Sequence, residues 1–395
     1  MRLKPFLSIL LLTLLLGCDT EKESAPVPEP TPTTKTFDFS YRYDPDSPEI
    51  KEFELAISQK DGKVLLDTLL ATGKDHALKV KSKDAKFDFT TIYFNPALGR
   101  YSVATYIQVN KNQWHIDETS KPVVRGATEP ATIYYSNMPN DALYHFESKQ
   151  PGSWVAIWDT DTQTIKYRRL LPNDLVYMWV PGYKKYMFTE VTSAETYVDF
   201  SKANVAEVRK FVRPAGVTNL GVTLFGYTKA GDPNSKLLLY FPFLPSKEYD
   251  LQFPSTVIEQ FDLYIGYTDA GGYFHSYHHI GQTIPTAMDF AATSDFTVIK
   301  SEIDDFQIQI GKDKPDRYFT FWQAEQDALR AQWYIYFPTD DTALKPKTFL
   351  ENLKTKSLAG KDLSLFRPKN VYSEKALTSS VSGASQSRFI TKTFK

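Results

Sequence analysis

This chain of 395 residues has a single cysteine, Cys18. One thiol closes no internal disulfide, so any folded part outside the cytoplasm must hold through its apolar core. The chain also lacks an excess of either charge: 46 basic side chains face 47 acidic ones, for a formal net charge of −1. No global field draws it toward nucleic acid, which is not expected as a partner. Long apolar runs are missing past the first residues. The run from Phe6 to Leu16, broken by Ser8 and Thr13, falls short of the roughly 20 residues needed to span about 30 Å of hydrocarbon. Catalytic signatures are missing too: there is no Gly-x-Ser-x-Gly elbow, no His-Glu-x-x-His helix and no glycine-rich phosphate loop, which removes the hydrolases and nucleotide enzymes that depend on them. No cofactor is implied.

The beginning of the chain is informative. Arg2 and Lys4 precede the apolar run, and the sequence turns polar directly after it, which is the pattern of a secretory signal peptide over residues 1–17. Leu15, Leu16, Gly17 and Cys18 resemble the lipobox of bacterial lipoproteins. That resemblance implies cleavage after Gly17, a diacylglyceryl thioether on Cys18 and a further acyl chain on the freed amine. The membrane partner is then reached through lipid, because several chains hold where one holds only marginally, at about 0.8 kcal/mol per buried CH₂. The same chemistry leaves no cysteine free as a nucleophile.

Residues 18–36 carry Pro26, Pro28, Pro30 and Pro32 at every second position and read as an extended tether. The acidic cluster Asp19, Glu21 and Glu23 is similar to the export signal of Bacteroidota surface lipoproteins and implies the outer leaflet of the outer membrane. A periplasm-facing location stays open, since in enterobacteria an aspartate after the lipidated cysteine implies inner-membrane retention.

From Phe37 onward the chain is rich in aromatic residues, 24 Tyr and 27 Phe, which favour pleated, half-buried surfaces. "FDFSYRY" sets Phe37, Phe39, Tyr41 and Tyr43 on one strand face, and "QKDG" between "FELAIS" and "KVLLDTLL" marks a hairpin. Turns recur every 8 to 12 residues or so, the spacing of β-sandwiches. The expected fold is mainly β: tandem sandwich units, immunoglobulin-like or transthyretin-like, with one or two short helices. The expected units are a sandwich over 37–125, a β-rich unit over 126–213, a sandwich over 214–293, and a C-terminal unit over 294–395 ending in a loose tail with a final strand.

Within the second unit, "SWVAIW" and "TIKYRRLL" are expected to form a hairpin around "DTDTQ". "SKANVAEVRKFV" places Val205, Val208 and Val212 at helical spacing, with Ser201 as N-cap and Pro214 as stop. "KPKTFLENLKTKSLAGK" predicts a second helix ended by Gly360. Between the first and third units a repeat is visible: Phe87 matches Phe261, Gly99 matches Gly271 and Tyr101 matches Tyr273.

Candidate ligand residues are few. Trp154, Trp158 and Trp179 lie close in sequence and would form a sugar-stacking platform if exposed, or fill a sandwich core if not. His275 and His279 share a strand face about 13 Å apart while His278 faces the other way, so a zinc site there needs ligands from neighbouring strands. Asp159 and Asp161 open a "DTDTQT" stretch, but Thr164 and Leu170 stand where a calcium EF-hand needs Gly and Glu.

The leading functional expectation is a lipid-anchored envelope protein without catalytic activity that binds a glycan or a protein at the cell surface. One alternative is a secreted hydrolase with a dispersed Asp/Glu site, and another is an adhesion or structural spacer.

Overall fold

The computed structural model describes residues 34–394 apart from 46, 117–125, 140–142, 150–154, 159–163, 214, 243–247, 287–290, 292, 341 and 378–383. Cys18 and the tether lie outside these residues. Among the described residues no helix is long and apolar enough to cross a membrane.

The chain repeats one plan four times. In the first unit β1 (Lys35–Tyr41) pairs with β4 (His76–Ser82), and a second sheet runs β3-β2-β5-β6, with β2 Glu52–Ser58, β3 Val64–Ala71, β5 Lys86–Asn95 and β6 Arg100–Asn110. With six strands lettered a to f in chain order, this is a paired with d, and a sheet c-b-e-f.

The second unit has the same order: β7 (Thr128–Ser136) with β10 (Thr164–Leu170), then β9-β8-β11-β12, where β8 is Leu143–Ser148, β9 Val155–Trp158, β11 Asp174–Val180 and β12 Lys185–Val191. It adds β13 (Glu195–Asp199) parallel to β7, and β14 (Asn204–Val205) beside β12.

The third unit pairs β15 (Glu207–Val212) with β18 (Glu248–Phe253) and orders β17-β16-β19-β20, with β16 Thr218–Tyr227, β17 Lys236–Tyr240, β19 Gln260–Thr268 and β20 Phe274–Gly281. The fourth begins with an extra strand, β21 (Phe296–Glu302). It then pairs β22 (Asp305–Ile310) with β25 (Ala343–Leu344) and orders β24-β23-β26-β27, with β23 Arg317–Gln326, β24 Leu329–Phe337, β26 Arg367–Leu377 and β27 Ser385–Thr393.

The mainly β, tandem-sandwich expectation holds. Immunoglobulin constant domains keep A, B, E and D in one sheet; here b and e lie with c and f instead. The repeat between the first and third units is real at the level of topology. Phe87 and Phe261 sit on the e strands β5 and β19, and Gly99 and Gly271 in the e–f turns that follow.

Three of the c-b-e-f sheets join edge to edge into one sheet of 12 strands, β17-β16-β19-β20-β27-β26-β23-β24-β6-β5-β2-β3. The third and fourth units meet through their f strands, antiparallel, from Phe274 opposite Thr391 to Ile280 opposite Ser385. The fourth and first meet in parallel, β24 against β6, from Ala331 opposite Tyr101 to Tyr336 opposite Tyr106.

The first unit's own covering layer lies on the opposite side of this sheet from those of the third and fourth units. Phe53, Leu55, Ile57, Phe87 and Phe89 meet Phe39 and Val80 of β1 and β4 on one face of the first unit's sheet. Ala56, Ile92, Val103 and Ile107, from the opposite face, join the fourth unit's core with Trp322, Trp333, Phe306 and Leu350. Hence β2 is buried continuously from Phe53 to Ser58, as a strand covered on both faces must be. In the third and fourth units only the Trp333 side is covered, so β16, β23 and β24 alternate buried and half-exposed residues.

Several expectations need correction. Residues 201–212 are not a helix. Asp199, not Ser201, caps a single 3₁₀ turn by accepting from the Ser201 N–H at 3.0 Å, and β14 and β15 follow. The valines that suggested a buried stripe are the exposed side, Val205 at 71 % and Val212 at 53 %, while Phe211 is buried opposite Tyr249. β15 therefore belongs to the third unit and not the second.

β9 and β10 are not a hairpin: β9 pairs with β8 and β10 with β7, in different sheets. The final strand expected at the end of the chain is present as β27, but as an interior strand binding the third unit to the fourth rather than part of a loose tail. The other expected helix is present as α1 (Pro346–Leu353), with Pro346 in its first turn and Leu350 and Leu353 buried, but it stops at left-handed Lys354 rather than at Gly360.

Candidate binding cleft

The uncovered face of the third and fourth units is lined with half-buried rings. Along β23 the residues opposite buried Trp322 are Phe319, Phe321 and Gln323; along β24, opposite Trp333, they are Gln332, Tyr334 and Tyr336. Register aligns Tyr106, Tyr336, Phe319 and Tyr372 into one row across β6, β24, β23 and β26. Tyr106 and Tyr336 stack with centroids 4.5 Å apart and planes 9° apart, Phe319 and Tyr336 lie 5.2 Å apart, and Phe319 and Tyr372 lie 4.5 Å apart. These distances are close to the spacing between strands. The rings therefore stand side by side like books on a shelf, and their edges point outward.

Where this row reaches the first unit it becomes the floor of a cleft of about 620 Å³, within the size range of small-molecule sites. Tyr106, Tyr336, Phe319 and Phe389 form the apolar part; Lys86, Gln108, Asn110, Gln113 and His115 line the side of the first unit; Asp316, Arg317, Pro338 and Glu374 line the other.

The walls are fixed by local bonds. Asp88 accepts from both the backbone N–H and the side-chain amide of Gln108, at 2.7 and 2.9 Å, holding that residue at φ 49. Arg317 is ion-paired with Glu374, and Asp316 accepts the Ala376 N–H at 2.7 Å. The first unit's wall also carries the amides of Asn110 and Gln113, the His115 ring and the Lys86 ammonium.

The residues singled out from the sequence do not form this site. Trp179 is core: it is 2 % exposed, donates its Nε1–H to Gln252 Oε1 at 3.0 Å and packs on Tyr240. It fills the joint between the second and third units instead of presenting a platform. Trp154, Asp159 and Asp161 lie outside the described residues, and of Trp158 only the backbone, in β9, is described.

His275 and His279 do share a face of β20, with His278 on the other. His275 is fully buried, pairs through Nε2 with Asp269 at 2.9 Å and stacks on Tyr267. His279 donates from Nε2 to the Thr283 carbonyl at 2.9 Å, while Gln386 reaches its Nδ1 at 3.1 Å. Both nitrogens of His279 are thus engaged. Among the described residues no group of three His, Cys, Asp or Glu side chains converges as a metal site would.

The cleft residues Tyr106, Phe319 and Tyr336, and Tyr372 that continues their row, carry only the alternation of strands in sequence. Their common row depends on pairing between units far apart in the chain. The signal available was aromatic residues on both faces of one strand, as in "RYFTFWQA" and "AQWYIYFP".

Among the described residues a pair of carboxyl groups held in contact lies elsewhere, on β2 and β3. Burial pushes the Glu54 carboxyl up, but donors from Ser357 and Lys356 outweigh it and hold the group below its usual range. The Lys356 and Ser357 N–H groups reach it at 2.6 and 2.7 Å. Asp67, hydrogen-bonded to Glu54, is pushed up to about 6 by burial and by that neighbour. Two carboxyls in direct contact lack the separation of about 5 to 9 Å that glycoside hydrolysis uses. This pair ties the first unit to the loop after α1.

No family model matches the chain, and no curated protein does. Among solved structures, the FN1–FN3 domains of chicken CNTN1 are similar at 11 % identity with a TM-score of 0.09, over 60 % of this chain and 93 % of that one.

Proposed function

We propose that this protein is a non-catalytic binding module, anchored through lipid on Cys18 at a bacterial cell surface, and that the cleft between its first and fourth units takes a neutral glycan. The observation that carries the reading is the meeting of an aromatic floor with polar walls that include the amides of Gln108, Asn110 and Gln113 in the cleft of about 620 Å³. Sugars present apolar C–H faces and many hydroxyls, and such a site offers both apolar contact and hydrogen-bonding partners. The wall charges favour neutrality. Arg317 and Glu374 satisfy each other, and one further basic side chain, Lys86, and one further acidic one, Asp316, line the same cleft.

The lipobox, the proline-spaced tether and the mainly β units support a body held away from a membrane. Protease shaving of intact cells tests the address: the native chain is cleaved while a Cys18→Ala chain is lost from the membrane fraction. Screening the purified protein against neutral and acidic polysaccharides tests the ligand. Retention by a neutral polymer supports the reading, and retention only by acidic polymers or by none defeats it.

A further inference from the structure

The 12-stranded sheet has two ends, and they are treated differently. At β17 the edge is closed by side chains of the second unit. His145 Nε2 donates to the Leu238 carbonyl at 3.0 Å, and the Leu238 N–H is bonded by Glu147, so both backbone groups of one edge residue are satisfied across the joint. At the other end β3 has β2 on one side, and among the described residues no strand pairs with its other side.

β3 has few of the features that keep an edge strand from pairing. Its sequence is Val-Leu-Leu-Asp-Thr-Leu-Leu-Ala, without proline or lysine, and Leu69 is 44 % exposed. The irregularity in its pairing with β2 falls at one end, between Ile57 and Ser58, and leaves the middle straight. Its single charged residue, Asp67, is turned onto Glu54.

The chain also shows how this type of unit joins to its like. The third and fourth units lie f strand against f strand, antiparallel, in a local two-fold relation.

We propose that β3 pairs antiparallel with β3 of a second copy of this chain, joining two 12-stranded sheets across a two-fold axis. Such an axis stands normal to the sheet and keeps each face continuous, so paired residues must belong to the same face. Centring on Thr68 sets Thr68 against Thr68 and Leu66 against Leu70, all on the face of the first unit's own core. Centring on Asp67 would set two carboxyls opposite each other, which is disfavoured.

The test is sedimentation of the full chain together with disulfide trapping. The parent is expected to sediment as a dimer, and Thr68→Lys and Leu69→Lys as monomers with unchanged circular dichroism. On mild oxidation Thr68→Cys should give a covalent dimer, while Lys79→Cys, exposed on β4, should not. A parent that stays monomeric overturns the proposal. So does a dimer that survives Thr68→Lys, or equal cross-linking at positions 68 and 79. The glycan reading stands or falls separately, because none of these residues lines the cleft.

Discussion

The indole Nε1–H of Trp333 donates to Thr105 Oγ1 at 2.9 Å, joining the fourth unit to the first inside a shared core. Thr105 is fully buried and also meets Thr90 Oγ1 at 3.0 Å. Thr105→Val keeps the shape but strands the indole donor, and a buried donor left unpaired costs about 1 to 3 kcal/mol. Chemical denaturation should show that loss, in a transition where the two units melt together. Separate transitions for the first and fourth units would show that the shared core does not couple them.

The edge cap at β17 makes stability depend on pH in two opposed ways. Burial holds His145 down to about 4 and pushes Glu147 up to about 8. Between about 4 and 6.5 the unfolded chain carries a proton on His145 that the folded one does not, so this group weakens the fold as pH falls through that window. Between about 4.5 and 8 the folded chain holds a proton on Glu147 that the unfolded one releases, so this group weakens the fold as pH rises. Glu147→Gln should therefore gain in melting temperature over the parent as pH climbs from 5 to 8. A constant difference across that range would contradict the assignment.

The carboxyl pair at the junction of the first and fourth units predicts a smaller effect at lower pH. Asp67 keeps its proton in the folded chain up to about 6, so its contribution to stability declines as pH rises from about 4 to 6. Asp67→Asn should flatten that decline. It should also slow amide exchange at Lys356 and Ser357 near pH 7, because Glu54 then faces a neutral neighbour. Exchange at those two amides that ignores the substitution would show that Asp67 does not act on the latch.

A neutral ligand in the cleft leaves a signature in salt. Binding should change little between low and physiological ionic strength, where the screening length shortens from about 30 Å to about 8 Å. Steep weakening with salt would mean an anionic ligand on Lys86 and Arg317.

Much of the strand plan was legible because the units alternate in short bursts with turns between them, as in "FELAISQKDGKVLLDTLL". The misreadings share a cause. "SKANVAEVRKFV" shows helical spacing of valine, yet Val205, Val208 and Val212 are exposed while Ala206 and Phe211 are buried. Tertiary pairing with β18 decided that segment. β26 has half-buried Tyr372 and few core formers, so it had no periodic signal of its own, and β27 was legible as a final strand but not as an interior one. Edge-to-edge joining of units leaves little mark in local sequence. The cleft, which exists only where β24 meets β6, could not be read before that joint was known.

The most direct test of the glycan cleft is affinity electrophoresis of the parent and Tyr336→Ala through a gel containing the neutral polysaccharide found by screening. Tyr336 contributes a cross-strand contact of about 0.2 to 1 kcal/mol to the fold and, as a central ring of the floor, about 2 kcal/mol to binding, roughly thirtyfold. The account predicts that the parent is retarded while a folded Tyr336→Ala chain migrates nearly as in a gel without polysaccharide. Equal retardation of the two proteins would place the binding elsewhere on the molecule and contradict it.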